Sequence, residues 1–240
     1  MSNNIKQYYD NLKLTQKEVN NNYIVDGIEY PKDTKTDHQE LELFSDNHIN
    51  YMTKLFNLFE VFHNWLEDNN ILYTLIWGNL LGYHRQHNPI LWDDDIDILL
   101  INNKGIEFIN NIWNNNNEIA KPIWDTNWIY KTITINEKKY LLLKMKFKTN
   151  WFKLLYNENI NIKNNKDNKD LGGIDITYKI NERDFLNRDL SILNNYILDE
   201  KIVPIVKYGP ILARVLSKEP SCKILNLYYS NWILKKHSNI

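Results

Sequence analysis

One cysteine and almost no net charge set the first limits on this chain. Cys222 is the single cysteine in 240 residues, which excludes an internal disulfide framework and a zinc site built from several cysteines. The formal net charge is -1, with 29 Lys and Arg against 30 Asp and Glu. Dedicated nucleic-acid binders usually carry a basic excess, so we expect no nucleic-acid partner.

Long apolar runs are also missing. No stretch of the sequence approaches the roughly 20 apolar residues that a membrane helix needs. The longest candidates, such as Ile96 to Ile101, have the length of a strand. The first ten residues are polar and contain no apolar segment of the kind that export signals carry. We therefore expect no transmembrane segment, and the cytoplasm as the default location.

Alanine is scarce as well, since it occurs only at Ala120 and Ala213, whereas asparagine is abundant. We interpret this bias as compositional drift, and asparagine runs such as Asn114 to Asn117 as loop filler. The remaining composition is ordinary, with 43% hydrophobic and 25% charged residues. These values and the length are typical of one globular domain, or of one domain with an appendage.

The pattern along the chain predicts a mixed α/β (α+β) fold. Residues 1–44 are polar and weakly periodic, so we expect an N-terminal extension with a short helix followed by irregular chain. Residues 45–240 would form the main domain. The clearest helix is predicted at residues 45–69, where apolar side chains recur at helical spacing and Ser45 or Asp46 can cap the start.

Strands and helices then alternate. The predicted strands are residues 71–77, 92–101, 128–135, 140–147 and 174–180, with a hairpin turn around Asn136 to Lys139. The predicted shorter helices are residues 79–85 and 105–113. From about residue 184 we expect mainly helix, with breaks at Pro204 and at Gly209-Pro210.

The segment from Asp93 to Asp97 carries the strongest chemical signal. Four carboxylates in five positions adjoin an apolar strand, and their mutual repulsion is costly unless a cation joins them. Because strand side chains alternate, we expect Asp93, Asp95 and Asp97 on one face and Asp94 pointing away. Such carboxylates suit Mg²⁺ or Mn²⁺. A solvated acidic turn is the alternative.

Two further features could complete a site together with this acidic segment. A strand that ends at Gly78 and opens a helix presents free backbone N–H groups, which form an anion site. Gly78 would let a phosphate approach, Asn79 would cap the helix or bind the phosphate, and Gly82 would let the helix pack closely on the sheet. Asp175, between Ile174 and Ile176, is expected to face the metal held by Asp95 and Asp97, or, alternatively, water at a sheet edge.

The stretch from Gly78 to Asp97 resembles the signature of the LicD/fukutin family. The positions that match in register are Gly78, Leu80, Leu81, Gly82, Arg85, Ile90, Trp92, Asp93, Asp94, Asp95, Ile96 and Asp97. The later run Ile174-Asp175-Ile176 resembles a second strand of the family. The chain departs from the family pattern at Asn79, Gln86, Asn88 and Leu91, where the family usually has Thr, His, Gly and Pro.

The resemblance implies a nucleotidyltransferase-like fold with flanking helices and a metal-dependent phosphotransferase activity. Members move phosphocholine or ribitol phosphate from a CDP-linked donor to a sugar hydroxyl of a glycan or glycoconjugate, releasing CMP. Asp95, Asp97 and Asp175 would be the catalytic and metal-binding residues, with Asp175 as the candidate base. Gly78, Asn79, Arg85 and Asp93 would bind the substrate.

Several readings remain open at this point. Arg85 would contact the donor phosphate or form a salt bridge with Asp94. Lys144, Lys146 and Lys148 would share a strand face that is solvated or that contacts an anionic substrate. The alternative functions are a nucleotidyltransferase with an NTP donor, a catalytically silent nucleotide- or metal-binding module, and a metal-dependent glycosyltransferase.

Overall fold

The fold is described by a computed structural model. It covers residues 2–19, 22–25, 28–31, 33–35, 40–91, 93–115, 119–122, 128–145, 151–156, 173–178, 192–193, 195–196, 199–229 and 232. Trp92, Gly172, Lys146 and Lys148 lie outside these residues, as do Asn116 and Asn117. Across the described residues, no helix combines the length and the apolar character needed to cross a membrane.

Five helices are present within the described residues: α1 Ser2–Thr15, α2 Asp46–Asp68, α3 Trp77–Gln86, α4 Asn103–Asn115 and α5 Lys218–Tyr228. The strands of the first third are short: β1 Lys17–Val19, β2 Asn22–Val25, β3 Ile28–Pro31, β4 Asp33–Lys35 and β5 Glu40–Glu42. The later strands are β6 Tyr73–Leu75, β7 Ile96–Leu100, β8 Lys121–Pro122, β9 Trp128–Ile135, β10 Lys138–Met145, β11 Trp151–Tyr156, β12 Ile174–Tyr178, β13 Ile205–Tyr208 and β14 Ile211–Arg214.

A seven-stranded mixed sheet forms the centre, in the order β6-β7-β12-β11-β10-β9-β8. Strands β7 and β12 run parallel, and the other neighbours in this sheet are antiparallel. The predicted mixed α/β fold with a nucleotidyltransferase-like sheet and flanking helices is therefore confirmed. The remaining described strands form small separate sheets, namely β1-β2-β3, β4-β5 and β13-β14.

Helix α2 matches its prediction closely. It begins after Ser45, whose hydroxyl oxygen accepts a hydrogen bond from the His48 backbone N–H at 3.2 Å. This bond satisfies one of the free donors at the start of the helix. Phe56, Phe59 and Phe62 on its inner face are at most 2% exposed. The aromatic stripe is therefore core, as its helical spacing predicted.

The predicted hairpin between β9 and β10 is also present, with a tighter turn than expected. Only Asn136 and Glu137 separate the strands, and both have left-handed backbone angles, with φ of 48° and 65°. Two such residues form the turn whose twist matches that of the flanking strands. The hairpin places β10 against β11 and so extends the central sheet.

Two predictions about the elements were wrong, and one strand was missed. Residues after α1 form short strands, where irregular chain was expected. Strand β11 was not predicted at all. The C-terminal part contains the β13–β14 hairpin, where helix was expected, because Gly209 (φ 56°) and Pro210 form its turn. Residues 179–191 lie outside the described residues.

Helix α1 packs on α2, and its apolar residues Ile5, Tyr9 and Leu12 belong to the same core. The boundary at residue 44 between an extension and the main domain stays a prediction.

One face of the central sheet is apolar, and the opposite face carries a polar patch. Ile98, Ile176 and Phe152 are direct cross-strand neighbours on the apolar face, where Trp113 of α4 packs against Phe152. On the opposite face, Asp175 pairs with Asp97 of β7 on one side and with Lys153 of β11 on the other. A row of three charged residues thus crosses three adjacent strands.

An ion pair ties the β13–β14 hairpin to α2. Arg214 is 6% exposed, and its Nε and Nη2 atoms each lie 2.6 Å from a carboxylate oxygen of Glu67. Its Nη1 donates to the Val203 carbonyl at 2.9 Å. This bidentate geometry is the strong form of the Arg–carboxylate contact. Glu200 reaches the same guanidinium at 3.7 Å but is almost fully exposed.

We expect Glu67→Gln to lower the free energy of unfolding by about 2 kcal/mol, because it leaves a buried guanidinium without its charged partner. Glu200→Gln removes the exposed contact to the same Arg214. It should change the free energy of unfolding by less than about 0.5 kcal/mol. Urea denaturation of both variants measures the two values. Equal effects of the two substitutions would show that the buried pair does not stabilise this junction.

Candidate metal centre

Three aspartates converge at the polar patch of the sheet. Asp95, Asp97 and Asp175 each offer a carboxylate oxygen, and these atoms all lie within 4.8 Å of one another. Asp97 and Asp175 are brought together by the parallel pairing of β7 and β12. Asp95 lies just before β7 begins. The structure therefore brings together the three residues that the sequence nominated as metal ligands, and their roles stay a prediction.

The acidic residues before β7 form a loop, which corrects the expectation that they continue the strand. Strand β7 begins at Ile96, so strand alternation does not set the orientation of Asp93 and Asp95. The loop is fixed by other contacts: the Asp93 N–H donates to the Ile90 carbonyl, and the Tyr51 hydroxyl donates to the Asp94 carbonyl. Asp93, Asp94 and Asp95 together form a second group of closely spaced carboxylates.

Asn79 holds this acidic loop in place. Its amide nitrogen donates to Asp93 Oδ2 at 3.0 Å and to the Asp95 carbonyl at 3.4 Å, and its amide oxygen accepts from the Asp97 N–H. The residue is 1% exposed. The predicted helix-cap role is wrong, because α3 begins at Trp77 with Ile76 as its cap. A phosphate contact stays a prediction, although the amide already bonds three aspartates.

We expect Asn79→Ala to lower the free energy of unfolding by about 2 kcal/mol, since it leaves several buried polar groups without their hydrogen-bond partner. Asn69→Ala, which removes an exposed side-chain bond to the Trp65 carbonyl, should cost less than about 1 kcal/mol. Chemical denaturation checks both values. An Asn79→Ala protein as stable as the wild type would show that this amide does not hold the loop.

Gly78 and Gly82 each leave room for a close neighbour. A Cβ at Gly78 would lie 2.9 Å from Asp93 Oδ2, so the carboxylate of Asp93 rests against the start of α3. An anion is favourable at a helix N-terminus. A Cβ at Gly82 would lie 2.7 Å from the Asn88 carbonyl. Gly82 therefore packs on the loop after α3, which corrects the expected packing on the sheet. The phosphate role of Gly78 stays a prediction.

Arg85 and Lys144 each have a contact away from the aspartate cluster. Arg85 Nε donates to the Trp232 carbonyl at 2.8 Å, at the other end of α3 from Gly78. Its predicted contact with a donor phosphate or with Asp94 is untested. The Lys144 ammonium lies 5.5 Å from the centre of the Trp113 ring and 5.3 Å from that of Phe152, on the apolar face. Lys144 is thus a cation–π partner of the core.

Two residues at the site were missed in the sequence. Lys153 Nζ lies 3.4 Å from Asp175 Oδ1 and 3.8 Å from Asp95 Oδ2. The indole N–H of Trp151 also acts on Asp175, since it lowers the pKa of that carboxyl. Both residues are in β11, a run of six residues that is apolar apart from this lysine. A lone lysine within an apolar strand was the signal that could have identified it.

Burial and mutual repulsion perturb the acids. Burial, followed by repulsion from Asp95, holds the pKa of Asp93 and of Asp97 well above the usual range. Burial also raises the pKa of Asp175 to about 7, although the nearby Lys153 opposes the shift. Three carboxylates face one ammonium, so full ionisation of the cluster would leave an excess of negative charge. An all-oxygen, crowded and partly buried set of this kind suits a hard divalent cation.

The profile of the LicD/FKTN/FKRP nucleotidyltransferase domain matches residues 70–185. The chain contains a LicD-family nucleotidyltransferase domain. This LicD domain includes β6, α3, β7 and β12, and with them Asn79 and the converging aspartates. The family is one of phospho-sugar and phosphocholine transferases. A search of curated proteins finds no match to the chain.

Proposed function

We propose that the chain is a metal-dependent phosphotransferase. It would move a phospho-alcohol group, of the phosphocholine or ribitol-phosphate type, from a CDP-activated donor to a sugar hydroxyl of a glycan or glycoconjugate. The observation that carries this proposal is the convergence of Asp95, Asp97 and Asp175 within 4.8 Å inside a LicD domain. The donor, the acceptor and the ion belong to the proposal.

In the proposed reaction, an oxygen–phosphorus bond forms between the acceptor hydroxyl and the distal phosphorus of the donor. The phosphorus–oxygen bond of the diphosphate breaks, and CMP leaves. The hydroxyl proton passes to a carboxylate of the cluster, for which Asp175 is the candidate. A bound Mg²⁺ or Mn²⁺ would neutralise the diphosphate charge, which is the main catalytic contribution in phosphoryl transfer.

The chain's own residues would fix where this charge lies. Asp97 and Asp175 are held at a set spacing by adjacent strands of the sheet. Asn79 secures the loop that carries Asp93 and Asp95. Arg85 is retained as a proposed contact for the donor phosphate. Positioning of this kind is valuable because misplacement of a reacting group by about 1 Å can cost about 100-fold in rate.

The first experiment is incubation with Mn²⁺ or Mg²⁺ and a panel of CDP-alcohols, UDP-sugars and NTPs, each with glycan acceptors. CMP release from a CDP-alcohol supports the proposal. Pyrophosphate release from NTPs would favour the nucleotidyltransferase alternative, and UDP release would favour a glycosyltransferase. A folded protein that binds none of these nucleotides would be a silent module.

Metal binding can be tested without substrate. We expect Mn²⁺ to raise the melting temperature, because a ligand at 100 times its Kd stabilises the folded state by about 2.7 kcal/mol. The shift should disappear with EDTA and in Asp95→Asn, and persist in Asp68→Asn, which alters an exposed acid at the end of α2. Differential scanning calorimetry measures it. An equal shift in Asp95→Asn would place the cation elsewhere.

A further inference from the structure

Lys153 is a lysine where lysines are rarely found. It is 9% exposed and lies in the middle of β11, between the apolar residues Phe152 and Leu154. Lysine is almost never this buried unless it is paired. Its partners are Asp175, directly opposite on β12, and Asp95, in the loop before β7. The ammonium therefore lies between two of the three carboxylates proposed to bind the metal.

The position of the ammonium has an electrostatic consequence. Asp95, Asp97 and Asp175 repel one another, and the ammonium offsets part of this repulsion at 3.4 Å from Asp175 and 3.8 Å from Asp95. A divalent cation at the same cluster would use oxygen atoms of the same two residues. It would also be repelled by the ammonium over a short distance through partly buried surroundings, where screening is weak.

We propose that Lys153 is a built-in counter-cation of the metal centre. It holds Asp95 and Asp175 together when no metal is bound, and it weakens divalent-cation binding by competing for their oxygen atoms. Its four-carbon stem allows the ammonium to move aside when a cation enters. The inference rests on the proposed metal site and adds to it a residue that sets its affinity.

A packing role is the simplest alternative. Leu143 is the direct neighbour of Lys153 on β10, and with Leu141 and Leu155 it forms a small apolar cluster on the sheet. If the stem of Lys153 only completed this cluster, an uncharged side chain as long as that stem would serve as well. Methionine has four side-chain heavy atoms, the same number as the stem, so Lys153→Met separates the charge from the packing.

The experiment measures Mn²⁺ binding by calorimetric titration, together with the melting temperature in EDTA and at saturating Mn²⁺. For Lys153→Met we expect a Kd at least about tenfold lower than that of the wild type, because a competing charge is gone. The melting temperature in EDTA should fall, and saturating Mn²⁺ should restore it. Lys153→Arg keeps the charge and should stay within about threefold of the wild-type Kd.

Lys144→Met is the matched control, since Lys144 lies on the neighbouring strand and faces the opposite side of the sheet. Its Mn²⁺ affinity should equal that of the wild type. If Lys153→Met does not fold in EDTA, Lys153→Gln is titrated instead, with the same expected tightening.

Three results would overturn the inference, and they can be told apart. An unchanged or higher Kd in Lys153→Met, with normal Mn²⁺ binding by the wild type, would reject only the role of Lys153. An equal loss of melting temperature with and without Mn²⁺ would likewise indicate packing. Failure of the folded wild type to bind Mn²⁺ would remove the proposed metal site, and this inference with it.

Discussion

Replacement of Asp97 by asparagine should reduce turnover about 1,000-fold while leaving the metal-free protein at least as stable as the wild type. The loss follows from the proposed role, because about 4 kcal/mol of transition-state stabilisation corresponds to about three factors of ten in rate. Stability should be kept because asparagine has nearly the same shape and removes one charge from a crowded cluster, in which burial and repulsion raise the pKa of Asp97.

This test is specific because turnover should fall while stability does not. A variant that loses activity because it is misfolded would lose stability as well. Turnover is measured as CMP release at saturating Mn²⁺, and stability by urea denaturation in EDTA. Asp68→Asn, at an exposed position, should retain both properties. Full activity of Asp97→Asn would reject Asp97 as a metal ligand, whatever the reaction catalysed.

The parts of the site that could be predicted are those encoded by local spacing. The run from Asp93 to Asp97 concentrates charge beside an apolar strand, which is unfavourable unless the carboxylates share a cation. Asp175 was found for a similar reason, as one acid within an apolar strand. The helical spacing of α2 and the hairpin of β9 and β10 are likewise local patterns, and both were confirmed.

What could not be predicted depends on pairing between distant strands. The parallel register that sets Asp97 beside Asp175 joins residues 78 positions apart, and the pairing of Lys153 with Asp175 depends on a strand that was not predicted. Asn79 was misread as a cap because asparagine favours that position. The helix in fact begins two residues earlier, at Trp77, whose φ of 47° is unusual for a large side chain.

The site is therefore assembled by the sheet more than by its motif. The acidic motif supplies Asp95 and Asp97, β12 supplies Asp175, and β11 supplies Lys153. The pairing that sets the spacing of β7, β12 and β11 therefore also sets the distances among these four charged residues. Gly173, which immediately precedes β12, lies so close to Leu154 and Leu155 of β11 that a Cβ would have no room.

We accordingly expect Gly173→Ala to lower the free energy of unfolding by about 3 kcal/mol, the upper part of the usual range for overpacking. A Cβ at this position would lie 2.5 Å from the Leu154 carbonyl oxygen and 2.4 Å from Leu155 Cδ2. The first of these atoms is backbone, so the clash cannot be relieved by rotating a side chain. The Gly173 carbonyl also accepts the Ile96 N–H at 3.0 Å, so a shift of β12 would disturb the start of β7.

Gly105→Ala is the matched control for this substitution. A Cβ there would meet Ile71 Cγ2 and Leu100 Cβ, both at 3.1 Å, which are side-chain atoms. Gly105 also lies in α4, where alanine gains about 1 kcal/mol of helix propensity over glycine. Its net effect should stay within about 1 kcal/mol, as measured by urea denaturation.

Mn²⁺ titration should show weaker binding in Gly173→Ala only, because only this change moves Asp175 relative to Asp97. Equal stability and equal Mn²⁺ affinity in both variants would mean that the spacing of β11 and β12 does not control the cluster.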